Sequence, residues 1–195
     1  MKKAKLILPI VALCTLSSCG TKTTLEKFME EVNKIEDHTY KSITVNYSSE
    51  KDDEKVEAKI TYTVEGGLFK PDVKNSYSSR LESYCYPSIK YAEYYEKYFD
   101  SDEREIKNKD ENAKIESEVL FYVKPFKIVG SFKATFKSEN GSGKKTIDFE
   151  YEFNKYGYLT CVESSSSYNY TEKEEDTKTT TSSKTRNKVT VSYKD

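Results

Sequence analysis

The chain of 195 residues has no tryptophan, a single histidine, three arginines, 4 prolines and 7 glycines. So little proline and glycine excludes a collagen-like or proline-rich extended chain. His38 alone cannot assemble a histidine-based metal site, and one histidine among many serines defines no Ser-His-Asp arrangement. It falls at a predicted helix-to-strand junction and is read as structural. Of the 4 cysteines (Cys14, Cys19, Cys85, Cys161), no pair has the spacing of a zinc or dithiol redox motif. Glycine-rich phosphate loops are absent as well. With no nucleophile, metal set or cofactor loop standing out, neither an enzyme nor a bound cofactor is expected. The 32 basic and 33 acidic residues balance, which leaves no net positive field with which to hold nucleic acid.

What the chain does have is an apolar start. Lys2, Lys3 and Lys5 precede an apolar run from Leu6 to Leu16, followed by Leu16-Ser17-Ser18-Cys19-Gly20. This is the layout of a secretory signal peptide, too short for a permanent membrane span, and nothing after it is apolar enough to be one. The Leu-Ser-Ser-Cys segment resembles the bacterial lipobox. That resemblance implies that residues 1–18 are removed, that Cys19 carries a diacylglycerol, and that the chain sits lipid-anchored on the extracytoplasmic face of the cell membrane. Two acyl chains suffice for stable anchoring. The alternative is an ordinary signal peptide with a cysteine at its cleavage site. Without the three leader lysines the remainder carries 29 basic against 33 acidic residues, a net charge of about −4.

Residues 19–24 are expected as a lipidated tether, and residues 25–195 as one α+β domain. Thr23 and Glu26 have capping-box spacing, and Leu25, Phe28, Met29, Val32 and Ile35 recur on one helical face, which predicts a helix over 24–36. The period then changes. Ile43, Val45 and Tyr47, then Val56, Ala58, Ile60, Tyr62 and Val64, alternate with polar residues and predict a hairpin, with Gly66-Gly67 at a bulge or bend. Pro71 and the serines after it read as a loop. Residues 88–99 place Ile89, Ala92, Tyr95 and Phe99 on one side of a short helix, and residues 100–114, almost all charged, read as a solvated connection. Five more strands follow at about 117–124, 126–137, 144–154, 158–170 and 178–193, with turns at Asn140-Gly141 and Lys155-Tyr156-Gly157. The last two, rich in serine and threonine, read as a long exposed hairpin.

The expected fold is therefore a curved antiparallel β-sheet of about seven strands, half-barrel-like, covered by the N-terminal helix and a short mid-chain helical segment. The order of "LEKFMEEVNKIEDHTYKSITVNYS", helix then strand, with the late turn "FNKYGYLTCVESS", resembles the LolA/LppX-type bacterial lipoprotein-carrier fold. That resemblance implies a concave sheet that holds acyl chains.

Four sets of residues are candidates. Phe132, Phe136, Phe149 and Tyr151 lie on the apolar face and line either a ligand cavity or a core. Tyr91, Tyr94, Tyr95 and Tyr98 belong to the run "YCYPSIKYAEYYEKYF", whose amphipathic rings suit a pocket rim, a glycan platform, a protein interface or simply a helix covering a sheet. Cys85 and Cys161 are either two thiols or a bridge closing about 77 residues, worth roughly 4 kcal/mol. The carboxylate runs Asp52 to Glu54, Asp100 to Glu105 and Glu172 to Asp176 lack the glycine a calcium loop needs and read as solvated. Two functions follow: a binding module with a hydrophobic ligand in the concave sheet, or a non-catalytic structural or protein-interaction lipoprotein with a filled core. Its partners are then membrane lipid through Cys19 and a hydrophobic ligand or envelope protein.

Overall fold

The computed structural model describes residues 20–174 and 177–195. The leader, Cys19 and residues 175–176 lie outside the described residues. The chain is α+β, built on a nine-stranded antiparallel sheet: β1 (Thr21–Thr23), β2 (Ser42–Lys51), β3 (Glu54–Glu65), β4 (Leu68–Pro71), β5 (Lys114–Val123), β6 (Phe126–Ser138), β7 (Gly141–Phe153), β8 (Leu159–Glu174) and β9 (Thr177–Lys194). Helices α1 (Leu25–Val32), α2 (Ser76–Leu81), α3 (Ala92–Glu96) and α4 (Asp100–Lys109) interrupt it, with two 3-10 turns between α2 and α3.

The strand order is β1-β5-β6-β7-β8-β9-β2-β3-β4. β5 to β9 form the expected meander, and β2 returns to pair with β9, so that the early hairpin extends the late one. The half-barrel expectation is corrected: the sheet has nine strands and is open, neither closed nor strongly curled. Its two edges explain this. β1 has 3 residues and β4 has 4, too few ladder hydrogen bonds to seal a barrel seam.

Several local expectations also change. Thr21–Thr23, expected within the tether, pairs with Phe121–Val123 and forms the edge strand β1. The helix cap is Thr24, whose side chain accepts from the Lys27 amide at 3.4 Å, one residue later than the capping-box spacing suggests. The serines after Pro71 form α2, because the Asn75 side chain accepts the Tyr77 and Ser78 amides while Ser78 Oγ accepts the Asn75 amide. The stretch read as a solvated connection contains α4, with Ile106 fully buried. Gly66-Gly67 forms the turn between β3 and β4, both at positive φ.

All the helices lie on one face of the sheet, and the register shows why. One row across it reads Phe121, Ile128, Tyr151, Val162, Val189, Tyr47, Ala58, apolar or aromatic from β5 to β3. Such a face is covered by helices in order to leave water. α1 inserts Phe28, fully buried, against Phe121 and Phe126 at ring separations of 5.3 and 5.6 Å. α2 is tied to β3 by the Tyr62 hydroxyl, which donates to the Ser78 carbonyl at 2.6 Å.

Candidate functional site

The aromatic residues that sequence periodicity sets on the inner face meet a solid cover. Phe132, Phe136 and Phe149 are at most 2% exposed. Phe99, at the start of α4, packs on Phe132 at 5.4 Å and on Phe149 at 5.6 Å, while Tyr98 approaches Phe149 at 4.4 Å and Tyr95 approaches Tyr151 at 4.4 Å. The partner of this face is therefore α3 and the head of α4, with α1 taking the neighbouring ground over β5. Burial pushes the Tyr95 and Tyr151 phenols well above their usual range, and that of Tyr98 upward as well. Phe136 is capped from outside by Lys109, whose ammonium lies 5.7 Å from both the Phe136 and the Tyr168 ring centroids.

The tyrosine group is divided by helical phase. Tyr95 faces inward with Ala92 and Phe99, Tyr98 is half-buried, and Tyr91 and Tyr94 are 63% and 64% exposed. Cys85 is fully buried beneath the helices, where burial pushes its thiol up to about 12. Cys161 pairs in register with Glu152 and Thr190 on the opposite face, so the two sulfurs are held as thiols with the sheet between them. The bridge considered from their count is not formed. His38 stacks on Tyr156 at 4.0 Å and its Nε2 lies 3.0 Å from the Asp195 carboxylate. Among the described residues no group of three histidine, cysteine or acidic side chains is placed to hold a metal, and no helix is long and apolar enough to cross a membrane.

Beyond the all-apolar row the inner face changes character. The next row runs Val119, Gly130, Phe149, Ser164, Asn187, Ser49, and the one after it runs Ser117, Phe132, Ile147, Ser166, Thr185, Lys51. On β8 and β9, past Phe149 and Ile147, both rows carry hydroxyls and an amide in place of apolar side chains. The helical cover stops at the same boundary, since burying such groups without partners costs free energy. A cleft of about 330 Å3 results, lined by Tyr94, Tyr98, Ser101 and Asp102 on the helical side and by Ile147, Ser164, Ser166 and Asn187 on the sheet.

Its polar groups are ordered. Asn187 Nδ2 donates to Ser164 Oγ at 3.4 Å and Asn187 Oδ1 accepts from the Tyr47 hydroxyl at 3.5 Å. Arg80 donates to that same hydroxyl at 3.5 Å, with its guanidinium 5.2 Å from the Tyr47 ring. At the other end Lys145 holds Asp102 at 2.8 Å and Glu105 at 2.8 Å, and Lys109 holds Glu105 at 2.6 Å. Burial alone would lower the Lys145 pKa, but hydrogen bonds and charge from Asp102 and Glu105 outweigh it and raise it. The hydrogen bond from Lys109, then that from Lys145, brings Glu105 down to about 2.

Sequence reasoning missed this cleft. The signal was present in "SSSSYNY", where Ser164 and Ser166 continue the inward phase of Val162, but what lies opposite them depends on α3 and α4. No family model, curated protein or solved structure matches the chain.

Proposed function

We propose that the protein is a lipid-anchored binding module on the extracytoplasmic face of the cell membrane, held there by acylated Cys19, and that it meets a cell-envelope partner with its outer surface and without catalysis. The lipobox-like Leu16-Ser17-Ser18-Cys19 supports the anchor. The observation that carries the binding mode is the ring packing of Phe99 and Tyr98 onto Phe132 and Phe149. An acyl-chain carrier in the sense of the expected concave sheet would require those rings to separate and their buried faces to be wetted. The filled-core reading needs no such rearrangement. It leaves Tyr91, Tyr94 and the polar cleft as the surface that meets a partner.

A photo-crosslinking side chain placed at position 91 of the full anchored chain tests this in intact cells. A discrete envelope adduct is expected there, and none from the same group at position 133, where Lys133 is exposed on the opposite face of the sheet. Equal labelling from both positions, or none from position 91, would count against a surface binding module. Replacing Cys19 with alanine should move the protein from the membrane fraction to the medium.

A further inference from the structure

Resting on the reading of the protein as a surface binding module, we infer that the cleft between α3, α4 and strands β7 to β9 is a binding site for an uncharged saccharide, about one or two sugar rings in size. Three features of the lining select this ligand. The sheet side offers the Ser164 and Ser166 hydroxyls and the Asn187 amide, groups that both donate and accept hydrogen bonds. An apolar ligand seated on them would strip water from the Ser166 hydroxyl and from the hydrogen-bonding capacity that Ser164 and Asn187 do not use on each other or on Tyr47, which is costly.

The second feature is charge. Among the described residues Asp102 is the one carboxylate lining the cleft, and Lys145 already neutralises it in a pair whose side chains are only 18% and 17% exposed. Among the described residues no lysine or arginine lines the cleft, so a phosphate or carboxylate ligand would find no counter-charge from them. Arg80, the nearest cation in the hydrogen-bonded chain, is turned onto the Tyr47 ring. The chemistry that remains is that of a neutral polyol.

The third feature is the aromatic wall. Tyr94 meets Tyr95 and Tyr98 at interplanar angles of 70° and 79°, with ring separations of 5.9 and 6.3 Å, and its side chain remains 64% exposed. A ring held edge-on by its neighbours keeps a face for another partner. The C–H face of a pyranose complements such a ring, while its hydroxyls complement a serine and asparagine floor. At about 330 Å3 the cleft lies at the lower end of the range for small-molecule sites.

The test uses the full chain in a sugar-free detergent, titrated with maltose, cellobiose and chitobiose, and separately with glucose 6-phosphate, followed by saturation-transfer NMR. Binding of at least one of the three disaccharides is expected, and glucose 6-phosphate should bind more weakly or not at all. Y94A and Ser166→Val should each weaken the disaccharide at least tenfold without lowering the melting temperature, because both positions are solvent-accessible, whereas Lys133→Ala should leave it unchanged. The inference is overturned if none of the three binds, if the two cleft variants bind as the parent does, or if the sugar phosphate is preferred. Failure here together with an adduct from position 91 removes the saccharide and leaves the binding module. Loss of the adduct removes the module itself.

Discussion

Gly130 and Phe149 are register partners on β6 and β7, and the ring lies directly over the glycine: a Cβ at position 130 would sit 2.2 Å from Phe149 Cε1. The glycine is thus required by the aromatic packing rather than by its backbone angles. Gly130→Ala must displace Phe149 and through it Tyr98 and Phe99, and should cost about 1–3 kcal/mol in chemical denaturation. Phe132→Ala, which empties a fully buried site, should cost about 3–5 kcal/mol. Cys85 should resist alkylation at pH 8 in the folded protein and react only on unfolding, as mass spectrometry of labelled peptides will show. At this scale the sequence is partly legible. Periodicity puts Ala92, Tyr95 and Phe99 on one side and correctly sends them inward. It does not tell Tyr94 from Tyr98, because their difference in exposure depends on where β7 and β8 run beneath the helix.

Among the elements, α4 shows best how tertiary contacts override a weak pattern. Ile106 is its single fully buried side chain, so hydrophobic periodicity is too sparse to mark a helix, and the charges around it read as loop. Lys145 on β7 supplies what the sequence hides, joining Asp102 and Glu105 from a distant strand. Ile106→Ala should therefore cost about 2–5 kcal/mol, whereas Lys107→Ala, at an exposed i,i+4 pair, should cost no more than about 0.5 kcal/mol. The folded-state pKa of Glu105 is depressed from 4.5 to about 2, so its contribution is complete above 4.5 and is lost as pH falls toward 2. Because its side chain is 47% exposed, that contribution is below about 1 kcal/mol. Glu105→Gln should make stability less dependent on pH between about 4.5 and 2, measured by denaturant titration at each pH. The strands, by contrast, announce themselves: alternation in Phe126, Ile128, Phe132, Ala134 and Phe136, and turn residues after β6 and β7, locate the meander to within a few residues.

For the whole molecule, the order of elements is readable but the closure is not. Alternation shows which face of each strand is apolar, yet the pairing of β2 with β9, which joins the early hairpin to the late one, is a long-range choice with no local signature. The three-residue edge β1 begins two residues after Cys19 in the sequence, so the attachment proposed for that cysteine would lead into one border of the sheet. The cleft lies on the helix-covered face, over β7 to β9. An interior closed by α1, α3 and α4 beside an exposed polar cleft supports the proposed binding at the surface. The most direct measurement of that claim is the lipid content of the Cys19→Ala chain purified from its host, read by solvent extraction and mass spectrometry. A filled core predicts no stoichiometric acyl lipid in the extract; one acyl lipid recovered per chain would contradict it and return Phe132, Phe136, Phe149 and Tyr151 to the lining of a carrier.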